Sequence, residues 1–261
     1  MSSSIATSRT EPGSAGAVKA VSVISTGTVR IRPEHAYGTR KPLYWWLLTS
    51  QHWTPPRPIN VYVIEHAKGL ILFDTGQDRA SVTDPTYFPS GVTGYLYRRL
   101  GRFDIGEQDT FTAQLAALGY APSDVGTAIV SHLHQDHIGG LPELTSSDVL
   151  VSAAEWAELA RPGPELRGFL RSHIQLPGLQ WRQVSPEPTR DPSLAPFTES
   201  LDVMGDGSPA GSGLTWCQRR PGSWMWRRRK PRCSGARLDS SAHSAADVSR
   251  SEPVSSASPP M

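Results

Sequence analysis

The sequence predicts an α/β fold in which short strands alternate with helices. Runs rich in β-branched and aromatic residues recur along the chain up to Val184, and segments with apolar residues three and four positions apart lie between them. Apolar residues make up 38% of the 261 residues and charged residues 19%, enough for one good-sized core beneath an ordinary charged surface. We therefore expect a soluble α/β domain without a membrane span.

Three strands are predicted in the N-terminal part of the chain. Each is a short run rich in valine, isoleucine or leucine. A His-Ala-Lys-Gly turn separates the second strand from the third, so these two can pair as a hairpin. The predicted strands are Val18–Ser25, Asn60–Glu65 and Leu70–Phe73.

An amphipathic helix is predicted at residues 110–118. Its apolar residues Phe111, Leu115 and Leu118 are three or four positions apart, and Gly119 suits a helix C-cap. The alternation of strands and helices continues after this helix, with prolines at the joints. The remaining predicted elements are a strand at Thr127–Val130, a strand at Val149–Ser152, a helix at Ala153–Leu159 opened by Ser152, a helix at Glu165–His173 and a strand at Gln180–Val184.

The most informative segment reads SHLHQDHIGG, at positions 131–140. It places His132, His134, Asp136 and His137 within six consecutive positions. Imidazole nitrogen and carboxylate oxygen are ligands that zinc takes. A tight turn after the preceding strand would aim the first two histidines at one metal and Asp136 and His137 at a second. Two metals roughly 3.5–4 Å apart provide a nucleophile and a Lewis acid.

The alternative interpretation of this segment is a solvated, histidine-rich surface loop or a run of helix N-cap groups. Four ligand-type residues at this spacing rarely coincide without a metal, so we favour the metal site. Isolated histidines elsewhere have no such spacing and are interpreted as surface or hydrogen-bonding residues. They are His35, His52, His66, His173 and His243.

The segment HLHQDH, with an apolar strand before it and two glycines after it, resembles the signature of the metallo-β-lactamase superfamily. The stretch GLILFDTG at positions 69–76 resembles the second element of that family. Taken alone, Asp74 in this stretch is a turn aspartate after a buried strand; the resemblance implies that it lies beside the metal-binding loop. The resemblance covers residues 20–208 and implies an αββα sandwich, with two mixed sheets between helices.

Within the superfamily, the N-acyl homoserine lactonase group is the most similar. Enzymes of this group open the lactone ring of acylated signalling molecules, an activity known as quorum quenching. A glyoxalase-II-like thioesterase or another ester hydrolase is the alternative, because such relatives share the HxHxDH loop. The segments that carry the resemblance to lactonases are YWWLL, PINVYVIEH, YFPSGVTGYLYRRLG, SDVGTAIVSHLHQDHIGGL and LDVMGDGS.

The resemblance implies a mechanism and a set of site residues. The metal ligands would be His132, His134, Asp136 and His137, which hold two zinc ions, with Asp74 in support. A metal-bound hydroxide would attack the lactone carbonyl, and Asp136, the catalytic residue, would pass a proton to the leaving alkoxide. The partner would be a small-molecule lactone or ester. The resemblance admits a homodimer, and no nucleic-acid partner is expected.

An aromatic cluster near the N-terminus allows two interpretations. Tyr44, Trp45, Trp46 and Trp53 lie close together in the sequence, and such clusters usually fill a core. In lactonase-like relatives, this region and a stretch like residues 87–97 line the substrate pocket. We favour packing for the cluster and keep the pocket wall as the alternative.

The family pattern stops after the segment LDVMGDGS. Relatives supply a third histidine from a PGHTPG-like segment, then a bridging aspartate and a further histidine, whereas residues 209–261 contain a single histidine, His243. We therefore expect a fold that is incomplete at the C-terminus, a half-built metal site and impaired or absent activity.

Residues 209–261 are predicted to form a disordered basic tail, because they are rich in Ser, Pro, Gly and Arg and have no strand or helix periodicity. Residues 211–261 hold nine Lys/Arg and three Asp/Glu, a balance of +6, against −4 for residues 1–210. One hypothesis is out-of-frame translation after a frameshift near Ser208. The other is a true basic tail that contacts nucleic acid or an anionic membrane and leaves a non-enzymatic binding module.

Residues 1–19 are predicted to be a flexible tail. They have neither the basic n-region nor the apolar core of about 7–15 residues that a secretory signal requires, so a cytoplasmic protein is expected. Cys217 and Cys233 form no disulfide framework and lack zinc-finger spacing, and we interpret them as free thiols.

Overall fold

A seven-stranded sheet organises the part of the chain that the structure, a computed structural model, describes, namely residues 18–190, 198–203 and 215–218. The strand order across the sheet does not follow the chain, because the fourth strand returns to the edge beside the first. The strands are β1 (Val18–Ile31), β2 (Arg57–His66), β3 (Gly69–Phe73), β4 (Gly101–Asp104), β5 (Val125–Ile129), β6 (Asp148–Ser152) and β7 (Gln180–Val184), in the order β4-β1-β2-β3-β5-β6-β7.

The sheet is antiparallel on one side and parallel on the other. Strands β4, β1, β2 and β3 pair antiparallel, and β2 and β3 form the predicted hairpin, with His66 opposite Gly69. Strands β3, β5, β6 and β7 pair in parallel. Parallel strands place their carboxyl ends at the same edge, which is where ligands bind in sheets of this kind.

Eight α-helices, most of them one or two turns long, connect the strands in the described part of the chain. None of the described helices has the length and apolar character needed to cross a bilayer. The helices are α1 (Pro33–Tyr37), α2 (Leu43–Thr49), α3 (Ala80–Thr83), α4 (Gly91–Leu100), α5 (Phe111–Ala117), α6 (Gln135–Ile138), α7 (Ala153–Ala157) and α8 (Arg171–Ile174).

The two faces of the large sheet are buried against different layers. Alternate residues of the strands point to opposite faces. On one face, Val63 and Leu72 pack with Phe111 and Leu115 of α5. The other face carries a second cluster that packs against the strand region around residues 199–203. The fold is therefore of the mixed α/β type that the sequence predicts, with helices on one side of the sheet.

The second, three-stranded antiparallel sheet contains β8 (Glu187–Pro188), β9 (Glu199–Asp202) and β10 (Thr215–Gln218) in the order β10-β9-β8. The expectation that no strand follows residue 209 is wrong for β10, whose backbone pairs with β9. Hydrogen bonds to a neighbouring strand stabilise β10 even though its sequence has no alternating pattern. The rest of the two predicted tails, residues 1–17, 209–214 and 219–261, lies outside the described residues.

Most elements predicted after residue 57 are confirmed. The predicted helix at residues 110–118 is α5, capped by Thr110, whose side chain accepts from the Ala113 amide. The predicted helix at residues 153–159 begins with α7, and the Ser152 hydroxyl accepts from the Glu155 amide at its start. Strand β7 has the predicted bounds.

One predicted helix, Glu165–His173, is wrong. The structure has a 3₁₀ turn at residues 164–167, then Gly168 in a left-handed conformation with a φ of 99°, and then the short helix α8. A Cβ atom on Gly168 would lie 2.7 Å from two atoms of the His134 ring. The helix is broken because the chain must pass tightly against this histidine.

Candidate metal centre

The candidate site lies at the carboxyl edge of the parallel strands. Asp74 directly follows β3, the loop that contains His132 follows β5, and α7, with Glu155 in its first turn, follows β6. These strands are adjacent and parallel, so the three segments meet although they are far apart in the sequence. We name residues 131–137 the metal loop.

Backbone hydrogen bonds join the metal loop to the turn after β3. The Thr75 amide donates to the His137 carbonyl at 2.9 Å, and the Gly140 amide donates to the Thr75 carbonyl at 3.0 Å. Gly139 allows this close approach, because a Cβ atom there would lie 2.1 Å from the Asp78 nitrogen. The glycine pair after the metal loop therefore fixes α6 against the Asp74 turn.

Asp74 is the central acceptor beneath the metal loop. It is 5% exposed and, at a φ of 62°, adopts a conformation that non-glycine residues rarely take. Its carboxylate accepts hydrogen bonds from the Ser131 amide at 2.8 Å, from the Ser131 hydroxyl at 2.9 Å and from His137 Nδ1 at 2.8 Å. These contacts lie where the resemblance puts Asp74, beside the loop, and explain why an uncommon backbone conformation is tolerated.

Three of the four predicted metal ligands converge. One ligand atom each from His132, Asp136 and His137 lies within 4.8 Å of the others. His137 Nε2 is 3.5 Å from Asp136 Oδ2, and the rings of His132 and His137 have centroids 3.9 Å apart. Two imidazoles and a carboxylate are a donor set that suits zinc, so the residues present fit a metal ion.

The hydrogen bonds fix which nitrogen of each histidine carries the proton. An ionised carboxylate only accepts, so His137 Nδ1 is the donor to Asp74, and Nε2 is the nitrogen that offers a lone pair when the ring is neutral. The Ser131 hydroxyl donates to Asp74 and can therefore accept from His132 Nδ1 at 3.0 Å, which places the His132 lone pair on Nε2 as well. Such hydrogen bonds orient histidines for metal binding.

His134 is placed differently from the other three. Its Nε2 lies 3.2 Å from the Arg167 carbonyl, which can only accept, so its lone pair lies on Nδ1. Its ring centroid is 4.7 Å from that of His132, but no atom of His134 joins the group of three within 4.8 Å. The predicted pairing of His132 with His134 therefore differs from the grouping observed in the described residues.

The electrostatics of the loop keep two of its imidazoles neutral and one charged. Burial, and then the neighbouring histidines, hold the pKa of His132 well below its usual range. Burial also lowers the pKa of His134. Burial acts in the same direction on His137, but the carboxylates of Asp74 and Asp136 outweigh it and raise its pKa to about 9.

Metal affinity is expected to rise with pH up to about 9. A metal that binds His137 Nε2 must displace the proton that the raised pKa of about 9 holds there below that pH. For one displaced proton the apparent affinity gains about tenfold for each pH unit below the pKa and levels off above it. Zinc titrations between about pH 6 and 9 would measure this slope. A flat profile would mean that His137 is not a ligand.

Glu155 is a site residue that the sequence patterns did not predict. Its Oε1 accepts a hydrogen bond from the backbone amide of Leu133, the fully buried residue between the first two histidines, at 3.0 Å. Burial raises the pKa of Glu155, and its charge acts to raise the pKa of His137. The metal loop is thus held by a carboxylate on each side, Asp74 and Glu155. The signal in the sequence is a glutamate three residues after a capping serine.

Replacing Glu155 with alanine is expected to weaken metal binding by about 10–100-fold, as for other residues that orient ligands. It also leaves the buried Leu133 amide without its acceptor, at a cost of about 1–3 kcal/mol in the free energy of unfolding. Glu155→Gln keeps an oxygen acceptor and should lose less of both. Zinc titration and urea unfolding would measure the two effects. Glu107→Gln, at a side chain that is 88% exposed, is the control.

The aromatic cluster divides into buried and exposed members. Trp46 is 1% exposed and belongs to the core, as favoured from the sequence, whereas Trp45 is 63% exposed. His35 of α1 is near enough to Asp136 for that carboxylate to act on its pKa, which burial lowers overall. The N-terminal helices therefore lie beside the metal loop.

A cavity of about 590 Å³ opens beside the metal loop, and its wall includes Ile138 and Gly139, which directly follow that loop. None of the four predicted ligands lines it. Of residues 87–97, which the resemblance implicates in the pocket, Tyr87 and Pro89 line the cavity, while Phe88 and Tyr97 stack in a buried cluster. The other lining residues are Asp78, Ala80, Asp84, Thr86, Pro142, Ser172, His173 and Leu176.

Known proteins are similar to this chain in sequence. Residues 54–212 match the model of the metallo-beta-lactamase superfamily. N-acyl homoserine lactonase AttM of Azorhizobium caulinodans is 30% identical over 152 residues, which cover 58% of this chain and 52% of that protein. A probable metallo-hydrolase of Mycobacterium tuberculosis is 36% identical over 112 residues, 43% of this chain and 34% of that protein. The chain spans about half the length of the lactonases it matches.

Solved structures share the fold. An N-acyl homoserine lactone hydrolase with the product N-hexanoyl-L-homoserine at its catalytic metal centre superposes with a TM-score of 0.52 at 20% identity, over 76% of this chain and 68% of that one. A mutant of the Bacillus thuringiensis protein AiiA, with N-decanoyl-L-homoserine bound, gives a TM-score of 0.50 at 19% identity over the same shares. At such identities the likeness concerns the fold alone.

Proposed function

This chain belongs to the metallo-beta-lactamase superfamily, and we propose that it is a metal-dependent hydrolase of the lactonase type, directed at N-acyl homoserine lactones. The observation that carries the proposal is the convergence of His132, Asp136 and His137 above the carboxylate of Asp74. The lactonases among its relatives support the substrate class.

We propose zinc as the metal, held by His132, Asp136 and His137, with the Nδ1 lone pair of His134 facing a neighbouring position. When bound, zinc lowers the pKa of water and polarises a carbonyl oxygen. The protein's own part is orientation. Asp74 holds the His137 ring with its Nε2 lone pair directed away from the carboxylate, and Glu155 fixes the backbone between the first two histidines.

Asp136 is the proposed proton carrier. Its carboxylate is 39% exposed, in contrast to the buried Asp74, so a substrate can reach it. In ring opening, the bond between the lactone carbonyl carbon and the ring oxygen breaks, and the leaving oxygen needs a proton. Water supplies the oxygen that adds to the carbonyl carbon. Asp136 would accept the proton that this water loses and pass it to the leaving ring oxygen.

We further propose that this chain turns over slowly compared with lactonases that contain the PGHTPG-like segment. The described residues bring three donors together, and the PGHTPG-like segment that supplies further ligands in relatives does not occur in the sequence. With fewer protein donors, a metal ion would bind more weakly and its position would be less well fixed, which would slow the reaction.

The test uses the purified full chain. Zinc content is measured by elemental analysis, and opening of N-hexanoyl homoserine lactone is followed with a pH indicator, beside an acyl thioester as a second substrate. We expect bound zinc and slow lactone opening that a chelator and Asp136→Asn each remove. Zinc with thioester turnover alone would contradict the substrate class. Absence of bound zinc at saturating metal would contradict the hydrolase itself.

A further inference from the structure

Exposed apolar side chains are concentrated on one region of the molecule. In the described part of the chain, eight large apolar residues are exposed, and six of them belong to α1, α2 and α4. Single exposed apolar residues are ordinary, but a concentrated group marks a contact surface. The six are Tyr37 (71% exposed), Tyr44 (51%), Trp45 (63%), Leu48 (49%), Val92 (75%) and Tyr95 (51%).

The spacing of these residues along α2 and α4 puts their side chains on the solvent-exposed side of each helix. In α2, Tyr44 and Leu48 are one turn apart on the exposed side, while the opposite side buries Trp46 and Leu47. In α4, Val92 and Tyr95 are three residues apart on the exposed side, while the opposite side buries residues 94 and 97. Each helix therefore has a solvent-facing apolar stripe in addition to its buried one.

Hydrogen bonds join α2 to α4, so the exposed apolar stripes of these two helices are adjacent. The guanidinium of Arg99, in the last turn of α4, donates to the carbonyls of Leu47 at 3.1 Å, Leu48 at 2.8 Å and Ser50 at 3.1 Å, at the end of α2. Five donors in a planar fork suit Arg for this role. We name this surface of α1, α2 and α4 the aromatic–basic face.

The segments that contain the helices of the face are rich in basic residues. Residues 33–57 and 91–102 contain six Lys/Arg but a single acidic residue, Glu34, although the whole chain has a net charge of only +2. Glu34 is half-buried and accepts a hydrogen bond from the Ser50 hydroxyl. The exposed basic residues of these two segments are Arg40 and Lys41 between α1 and α2, Arg57 in β2, Arg98 in α4 and Arg102 in β4. Arg57 lies at the face, because its guanidinium donates to the Tyr37 hydroxyl at 3.2 Å.

We propose that the aromatic–basic face docks onto an anionic phospholipid surface. Trp and Tyr side chains are favoured at the boundary between headgroups and acyl chains, and Lys and Arg are attracted to anionic headgroups. The face presents both kinds of residue together and almost no negative charge. This inference goes beyond the proposed function and requires no metal.

Docking would also hold the candidate metal centre close to the lipid surface. The importance of this consequence, unlike docking itself, rests on the proposed function. Asp136 acts on the pKa of His35, so α1, one of the helices of the face, lies near the metal loop. A lipid layer against them would bring that loop close to the phase in which acylated molecules partition.

The test is co-sedimentation of the full chain with vesicles. Vesicles of phosphatidylcholine alone are compared with vesicles that also contain phosphatidylglycerol, at low and high salt. Two double variants test the face, Trp45→Ala with Leu48→Ala and Arg40→Glu with Lys41→Glu. The matched control is Val82→Ala with Leu166→Ala, the two exposed apolar residues outside the face. Light scattering after gel filtration gives the oligomeric state of each protein.

We expect binding to anionic vesicles that salt weakens, that each face variant reduces by about tenfold or more, and that the control retains. Equal binding by the wild type and both face variants would overturn the proposal and assign any binding to other basic segments, such as the C-terminal one. Equal binding to both kinds of vesicle would also overturn it. A dimer that only the Trp45/Leu48 variant dissociates, without vesicle binding, would make the face an interface between copies.

Discussion

Replacing His132 with alanine is expected to lower zinc affinity by at least about 100-fold and to remove lactone opening. The substitution leaves Asp136 and His137 as the remaining members of the converging group, and two protein donors do not hold zinc in a structural or catalytic site. His132 is the donor best prepared for binding, because its depressed pKa keeps the imidazole neutral at the pH values where His137 still carries a proton.

The measurement is zinc content of the dialysed protein, with a competition titration against a chromogenic chelator. His52→Ala is the matched control, because His52 is an exposed histidine that is not among the converging ligands, so its variant should keep wild-type affinity. If the two variants retain equal amounts of zinc, the metal loop is not the metal site. Circular dichroism of both variants checks that the fold is kept.

Replacing Asp74 with alanine is expected to lower the free energy of unfolding by about 3–5 kcal/mol, the range for removing one partner of a buried ion pair. The variant loses three hydrogen bonds at once. It also removes the carboxylate that pairs with His137, whose raised pKa of about 9 keeps that ring charged at neutral pH. It also puts alanine at a φ of 62°, which costs about 1 kcal/mol or more. Metal affinity should fall by about 10–100-fold as well.

The variant Asp74→Asn removes the charge of the Asp74 side chain while keeping its size, so it tests the two contributions separately. Asparagine tolerates the left-handed conformation and can still accept from Ser131, but it carries no charge to hold protonated His137. Its loss of stability should therefore lie between those of the wild type and the alanine variant, and the pKa of His137 should fall. Urea unfolding of the metal-free proteins and NMR titration of the imidazole would measure these effects. Equal unfolding midpoints for all three proteins would contradict the role of Asp74.

Sequence patterns predict the regular strands and α5 because their apolar residues face one buried layer. The same reasoning does not find α2 and α4. Helix α2 is apolar on both its buried and its exposed side, so it has no period of 3.6. Helix α4 contains two glycines and has low helix propensity. Distant contacts stabilise it instead, including the bond from the Tyr97 hydroxyl to the Glu165 carbonyl.

The candidate site is more predictable than the fold around it. Four of its residues lie in one segment, so their spacing alone indicates a metal, whereas Asp74 is predicted as a site residue only through the family resemblance of the stretch at positions 69–76. The sequence does not identify Glu155 as a site residue, because acidic residues are common in the first turn of a helix, where they interact favourably with the helix dipole. The separate placement of His134 also depends on the break at Gly168, which no helical period reveals.

The parallel pairing of β3, β5 and β6 has a consequence for how the protein acquires its centre. Helices α3, α4 and α5 and strand β4 separate β3 from β5 along the chain, so a long loop must close before β3 and β5 can pair with each other. Non-local pairing of this kind is slow. Asp74, the metal loop and Glu155 can meet only after it, so the centre forms late in folding. By mass action, bound metal then stabilises only chains in which the sheet is complete. A measurement of tight metal binding therefore also shows that the strands have folded, although the strands themselves do not contact the ion.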